Sequence, residues 1–173
     1  MFAFIMTGML LFLSTYTHSA YEQVFLTPTF QDTRGWRIYT FHDGKEKELT
    51  PQELLSVEEG KTFYLSRELT ADLADTTFLM LDSQRPLSVF LDDALLYTTC
   101  PKSSQVMNEV VFPKDYIGVA GRDEAIRCTL PNDFVAKTLT IATTHPSSEY
   151  GASLPSVRLS SSAIEAEKWL STA

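Results

Sequence analysis

The fold class is decided by three stretches: residues 62–69 read TFYLSREL, residues 76–81 read TTFLML, and residues 87–97 read LSVFLDDALLY. In the first stretch apolar and polar residues alternate, which is the period of a strand with one buried face. The second stretch is apolar on both faces, as a central strand is. The third has two short apolar arms around Asp92-Asp93, which is the pattern of a tight hairpin. These stretches predict antiparallel β structure.

The same pattern continues on both sides of these stretches. Further strands are predicted over residues 36–41, 108–112, 126–130, 137–143 and 156–159. Polar or proline-bearing stretches separate them. About eight or nine short strands at this spacing are typical of a β-sandwich or a β-barrel.

Two short helices are also predicted. Residues 50–55 can form a helical turn, with Thr50 as the N-cap and Pro51 at the first helical position. At the carboxyl end Ser162 precedes Glu165 by three residues, as in a capping box. The sequence therefore predicts an all-β domain followed by a short C-terminal helix.

The amino terminus indicates export. Residues 1–13 read MFAFIMTGMLLFL and carry no charge. As a helix this run would span roughly 20 Å, which is shorter than a bilayer core but fits a signal peptide. Ser19 and Ala20 offer a cleavage site, although no Lys or Arg precedes Arg34. Residues 1–20 are therefore predicted to be a signal peptide or an uncleaved N-terminal anchor, which places the domain outside the cytoplasm.

Composition and motifs argue against several functional classes. The chain has 173 residues and a net charge of −8, which argues against a nucleic-acid backbone or an anionic membrane surface as the main partner. Its three histidines have no ligand-like spacing, and two cysteines are too few for a four-cysteine zinc site. The sequence contains no nucleophile elbow and no phosphate-binding loop. We predict no metal, no cofactor and no enzymatic activity.

The two cysteines suggest a disulfide. In an exported chain Cys100 and Cys128 are the only possible pair, since the compartment is oxidising. The alternative is two separate buried thiols that act as small hydrophobic residues in the core.

Candidate ligand-binding residues lie in loops and at strand ends, where binding sites of sandwich domains concentrate. Sugar binding needs an exposed aromatic ring for stacking together with side-chain donors and acceptors. The residues predicted to converge on such a site are Trp36, Gln84, Arg85, His145 and Tyr150. The alternative is that Trp36 belongs to the core and the other four are solvated loop residues.

The order of strands resembles a known family. Residues 61–69 (KTFYLSREL), 78–82 (FLMLD, with Gln84) and 89–97 (VFLDDALLY) are similar to the jelly-roll, galactose-binding-like domain at the amino terminus of glycoside hydrolase family 2 enzymes. A closer resemblance is to the extracytoplasmic sensor domains of bacterial membrane proteins that end in histidine kinases or diguanylate cyclases.

The resemblance to those sensor domains extends to the carboxyl end. They continue with a G-K-T-L-T-I strand, matched here by residues 136–141 (AKTLTI), and end with P-x-V-x-L-G-S, matched by residues 155–161 (PSVRLSS). Asp93 and Ser160 stand where the family has glycine, and a primed turn favours glycine at Asp93.

The resemblance implies a jelly-roll sensor or binding domain over residues 21–160 and a juxtamembrane connector helix over residues 161–173. It implies an extracytoplasmic ligand-sensing domain of a membrane signal-transduction protein, with a small-molecule or carbohydrate ligand and a membrane association. The alternative function is a secreted or anchored carbohydrate-binding accessory module without signalling.

Overall fold

The computed structural model describes residues 24–29, 32–58, 60–73, 76–83, 85–101, 104, 106–113, 126–144 and 154–161. In chain order its strands are β1 (Val24–Phe25), β2 (Arg37–His42), β3 (Lys45–Glu48), β4 (Thr62–Glu68), β5 (Phe78–Asp82), β6 (Leu87–Leu91), β7 (Ala94–Thr98), β8 (Ile126–Thr129), β9 (Thr138–Thr144) and β10 (Ser156–Ser160). One sheet has the order β3-β2-β4-β9-β6-β7 and the other the order β1-β10-β5-β8, and all pairings are antiparallel. The predicted all-β sandwich is confirmed.

The main core lies between the two sheets. On β4 and β9, which pair from Thr62–Thr144 to Glu68–Thr138, alternate residues point inward because side chains of a strand alternate between faces. Inward-facing residues that are at most 1% exposed include Phe63, Leu65, Leu79, Leu81, Val89, Leu139, Ile141, Val157 and Leu159. We call the other side of the six-stranded sheet, which faces away from the four-stranded sheet, the outer face.

Two tight turns connect neighbouring strands. Asp43 and Gly44 join β2 to β3 with φ values of 50° and 72°, the signs that a type I′ hairpin turn requires. Between β6 and β7, Asp92 has φ 51°, and its Oδ1 accepts a hydrogen bond from the N–H of Thr138 at 2.9 Å. The expectation that this turn favours glycine at Asp93 is therefore wrong, because Asp92 is the left-handed residue of the two.

The predicted helical turn is present as α1 (Pro51–Leu55). Thr50 accepts a hydrogen bond from the N–H of Glu53, and the Glu53 carboxylate accepts one from the N–H of Thr50. This capping box satisfies two of the amide groups that every helix start leaves open. The local sequence is therefore sufficient to begin the helix, as predicted.

The strand predicted over residues 108–112 is wrong. Met107–Glu109 form a 3-10 turn, and Val110 and Phe112 are buried without belonging to a sheet. Alternation over five residues indicates only that one side of the segment is buried. Here the buried side packs on the outer face of the six-stranded sheet instead of pairing with a strand.

The predicted disulfide is also absent, because both cysteines are free and buried. Cys128 lies on β8 in the core between the sheets, whereas Cys100 belongs to an apolar cluster on the outer face. The six-stranded sheet separates them, and stacked sheets lie about 10 Å apart. A disulfide needs Cα atoms within about 7 Å, so these two cannot be bridged in this fold.

The predicted N-terminal segment (residues 1–20) and most of the predicted connector helix (residues 162–173) lie outside the described residues. In the part of the chain that the structure describes, no helix is long and apolar enough to cross a membrane.

Candidate functional site

Trp36 lies in the core and not on a binding surface. It precedes β2, is 8% exposed, and packs among the inward-facing residues between the sheets. Its indole N–H donates a hydrogen bond to the main-chain oxygen of Leu26, in the segment that follows β1. A buried indole needs such a partner. The structure thus agrees with the alternative in which Trp36 is a core residue, and its ring is not available for stacking on a ligand.

Arg85 lies in the connection between β5 and β6 and is partly exposed. Its Nη1 donates a hydrogen bond to the main-chain oxygen of Thr144 at 3.3 Å, and its main-chain N–H donates one to Oγ of Ser83 at 3.2 Å. Burial lowers the pKa of Arg85, because removal from water disfavours the charged form. The guanidinium is therefore held against the end of β9 while part of it remains open to solvent.

The structure does not bring Trp36 and Arg85 together. Trp36 is next to Arg37, which pairs with Ser66 on β4, whereas Thr144 pairs with Thr62 at the start of that strand. The four-residue step from Ser66 to Thr62 along β4 corresponds to about 13 Å. Trp36 and the Arg85 guanidinium, which contacts Thr144, therefore lie toward opposite ends of this strand. The other three predicted ligand residues, Gln84, His145 and Tyr150, lie outside the described residues. A binding role for them and for Arg85 stays a prediction.

Next to Arg85, the outer face presents an aromatic ring and two hydroxyl groups at the end of the sheet. Thr62 and Thr144 are direct partners on β4 and β9. Phe41 lies on β2 beside them, two residues beyond the Tyr39–Tyr64 pair. All three are partly exposed. We call Phe41, Thr62, Thr144 and Arg85 the sheet-end surface.

An aromatic cluster supports the sheet-end surface from within. The rings of Tyr39 and Tyr64 stack with centroids 5.3 Å apart and an angle of 14° between their planes. Phe41 stands edge-on to both tyrosines, at 5.8 and 5.2 Å. The guanidinium of Arg37 lies 4.7 Å from the centroid of Tyr39 and is paired with Glu46 at 2.9 Å. Such contacts fix the orientation of the Phe41 ring.

Residues 106–113, which we call the covering segment, lie over this cluster. Val110 and Phe112 are 2% and 4% exposed and pack with Tyr39, Tyr64 and Phe90, and Met107 packs beside them. The main chain of Val110 acts to lower the pKa of Tyr64, but this effect is smaller than that of burial. Burial raises the pKa of Tyr64 to about 12, because the phenolate is poorly solvated there.

No motif of the sequence predicts this outer cluster, although one signal for it is present. By the alternation on β2, β4 and β6, Tyr39, Tyr64 and Phe90 occupy outward positions. Large aromatic residues at outward positions indicate that a second element covers the sheet. The sequence does not say which segment provides the cover.

The charged groups of the described residues do not suggest a metal centre. Within those residues, no three His, Cys, Asp or Glu side chains come close enough to hold a metal ion. The chemistry that the sheet-end surface offers is that of a guanidinium, hydroxyl groups and an aromatic ring. These groups can hydrogen-bond and stack, which are the interactions that bind small polar ligands.

Comparison with protein-family models, with curated proteins and with solved structures finds no match to this chain.

Proposed function

We propose that this chain is the extracytoplasmic ligand-binding domain of a membrane signal-transduction protein, and that its ligand binds at the sheet-end surface. One observation carries the placement of the ligand: Arg85 is held partly exposed against the end of β9, where Thr144 pairs with Thr62. Sandwich domains vary their loops at one end without disturbing the core, so a site there is compatible with stability.

The groups at the sheet-end surface favour a small polar ligand. A guanidinium donates several hydrogen bonds in a fixed geometry, and threonine hydroxyls both donate and accept. Phe41 adds an apolar face that can pack on a sugar ring or on another flat group. A neutral sugar would satisfy all of these groups, and a small carboxylate would pair with the guanidinium and the two hydroxyls.

The extracytoplasmic and signalling parts of the proposal have a different basis. They are supported by the uncharged run of residues 1–13 and by the resemblance of residues 61–161 to jelly-roll sensor domains. The carbohydrate-binding accessory module is the alternative. The reading frame after Ala173 separates the two, because a sensor continues into membrane helices and a signalling domain.

The ligand-binding proposal is tested by chemical-shift perturbation. A panel of neutral mono- and disaccharides and of small carboxylates is added at millimolar concentration to the isotope-labelled protein. We expect the amide signals of Thr62 and Thr144 to shift with at least one compound. Arg85→Ala should then weaken that binding by about tenfold or more, since a hydrogen bond to a charged group contributes about 1.5–3 kcal/mol.

The matched control is Arg127→Ala. Arg127 is an exposed arginine on β8 of the other sheet, and its guanidinium lies 3.8 Å from the ring centroid of Phe78. This variant should bind the same compound as well as the parent protein does. Shifts that cluster away from the sheet-end surface, or equal losses in both variants, would contradict the proposal.

A further inference from the structure

The covering segment is attached to the outer face almost entirely by side chains. Val110 and Phe112 are buried on the tyrosine pair, whereas Val106 and Val111 are 53% and 71% exposed. The segment therefore contributes one narrow apolar strip to the contact. Its other side is open to water.

The main chain of the covering segment is weakly tied to the sheet. Among the described residues, no backbone–backbone hydrogen bond joins residues 106–113 to a strand, and the N–H of Glu109 donates to Val106 within the segment itself at 3.0 Å. By contrast, β4 and β9 pair along seven consecutive residues. Lifting the segment thus breaks far fewer backbone hydrogen bonds than separating any two central strands.

Cys100 and Cys128 report on the two sides of the six-stranded sheet. The Cys100 side chain belongs to the outer cluster together with Val110 and Phe112. Cys128 belongs to the core between the sheets. Detachment of the covering segment removes neighbours of Cys100 and leaves the surroundings of Cys128 unchanged.

We propose that the covering segment detaches from the outer face as a unit while the sandwich stays folded, and so uncovers Tyr39, Tyr64 and Cys100. Partial opening of this kind is expected where a segment has few buried contacts and few backbone hydrogen bonds. The open state extends the sheet-end surface across the tyrosine pair, because Phe41 contacts both rings. The covering segment is thus a lid on one part of the outer face.

The test is thiol labelling of the intact chain under native conditions. The folded protein is exposed to N-ethylmaleimide at increasing low urea concentrations, and mass spectrometry of peptides follows the labelling of the two cysteines separately. We expect Cys100 to be labelled at least about tenfold faster than Cys128, with a weaker dependence on urea, because local opening exposes less surface than global unfolding. Equal rates with equal urea dependence would overturn the proposal.

Two variants make the test sharper. Ile141→Val, in the core between the sheets, should speed labelling of Cys128 by about two- to tenfold and leave Cys100 unaffected, because the substitution destabilises the closed and open states equally. Phe112→Ala should speed labelling of Cys100 by at least about tenfold, because it destabilises only the closed state relative to the open one. If Ile141→Val speeds both cysteines by the same factor, one global unfolding event exposes both and the proposal fails.

Discussion

Substitution of Ala136 by glycine should stabilise the protein. Ala136 precedes β9 and has φ 63°, which is the left-handed region. Its N–H donates a hydrogen bond to the main-chain oxygen of Leu69 at 2.7 Å, and the N–H of Leu69 donates to the oxygen of Lys137 at 2.9 Å. These contacts with the end of β4 hold the backbone in that conformation.

The magnitude follows from two opposing effects. An L-residue in the left-handed region costs about 1–2 kcal/mol, and glycine removes that cost. Glycine also gives the unfolded chain more freedom, which costs about 0.5–1 kcal/mol. The Ala136 side chain is exposed, so its loss removes no core packing. The free energy of unfolding should therefore rise by about 0.5–1 kcal/mol, and the thermal midpoint by about 1–4 °C for a chain of this size.

The assay is urea denaturation together with a thermal melt, with Ala94→Gly as the matched control. Ala94 is an exposed alanine at the first position of β7, in extended backbone. At this position glycine relieves no backbone strain in the folded state and still gives the unfolded chain more freedom. The free energy of unfolding should therefore fall by about 0.5–1 kcal/mol. The reasoning is refuted if Ala136→Gly is destabilised to the same extent as Ala94→Gly.

Three further predictions concern buried groups. The protein unfolded without reductant should titrate two free thiols, Cys100 and Cys128, with Ellman's reagent, and the loss of both thiols would show that a bridge forms after all. Trp36→Phe removes the indole N–H from a buried carbonyl and leaves unfilled space, so urea denaturation should show a loss of about 1–3 kcal/mol, whereas an unchanged midpoint would place the ring outside the core. The pKa of Tyr64 is about 12 in the folded protein against 10.0 for an ordinary tyrosine. The contribution of Tyr64 to the free energy of unfolding is therefore complete below pH 10 and is lost as pH rises toward 12. Tyr64→Phe should make the free energy of unfolding less dependent on pH in that window, and an unchanged dependence would argue against a buried hydroxyl.

The local sequence was sufficient for most of the strands and for α1. Alternation and β-branched or aromatic residues predict β2, β4, β6, β7 and β9, because a half-buried strand has to place apolar side chains at every second position. The Thr50–Glu53 capping box predicts the helix start for an equally local reason. Two of the four edge strands, β1 and β3, were missed: β1 has only two residues, and β3 reads KEKE with every residue exposed. Charged edges of this kind protect a sheet from pairing with other chains and carry no apolar pattern.

The candidate site was predicted only in part, because its members come from distant parts of the chain. Arg85 was identified from its position in a polar loop, and the structure places it against the end of β9. Phe41 and Thr62 were not identified as site residues. They join Arg85 only through the pairing of β2 with β4 and of β4 with β9. Strand order of this kind is set by packing of the whole sandwich and is not readable from any single segment.

By itself, the sequence determined where most of the strands, the hairpin at Asp92-Asp93 and the short helix form, since these depend on neighbours within a few residues. The tertiary structure decided which faces are covered. It placed Trp36 in the core, put Cys100 and Cys128 on opposite sides of one sheet, and laid the covering segment on outward-facing tyrosines. Alternation assigns a residue to one of two faces, but burial of that face depends on contacts between segments far apart in the chain, and those are fixed only when the sheets pack.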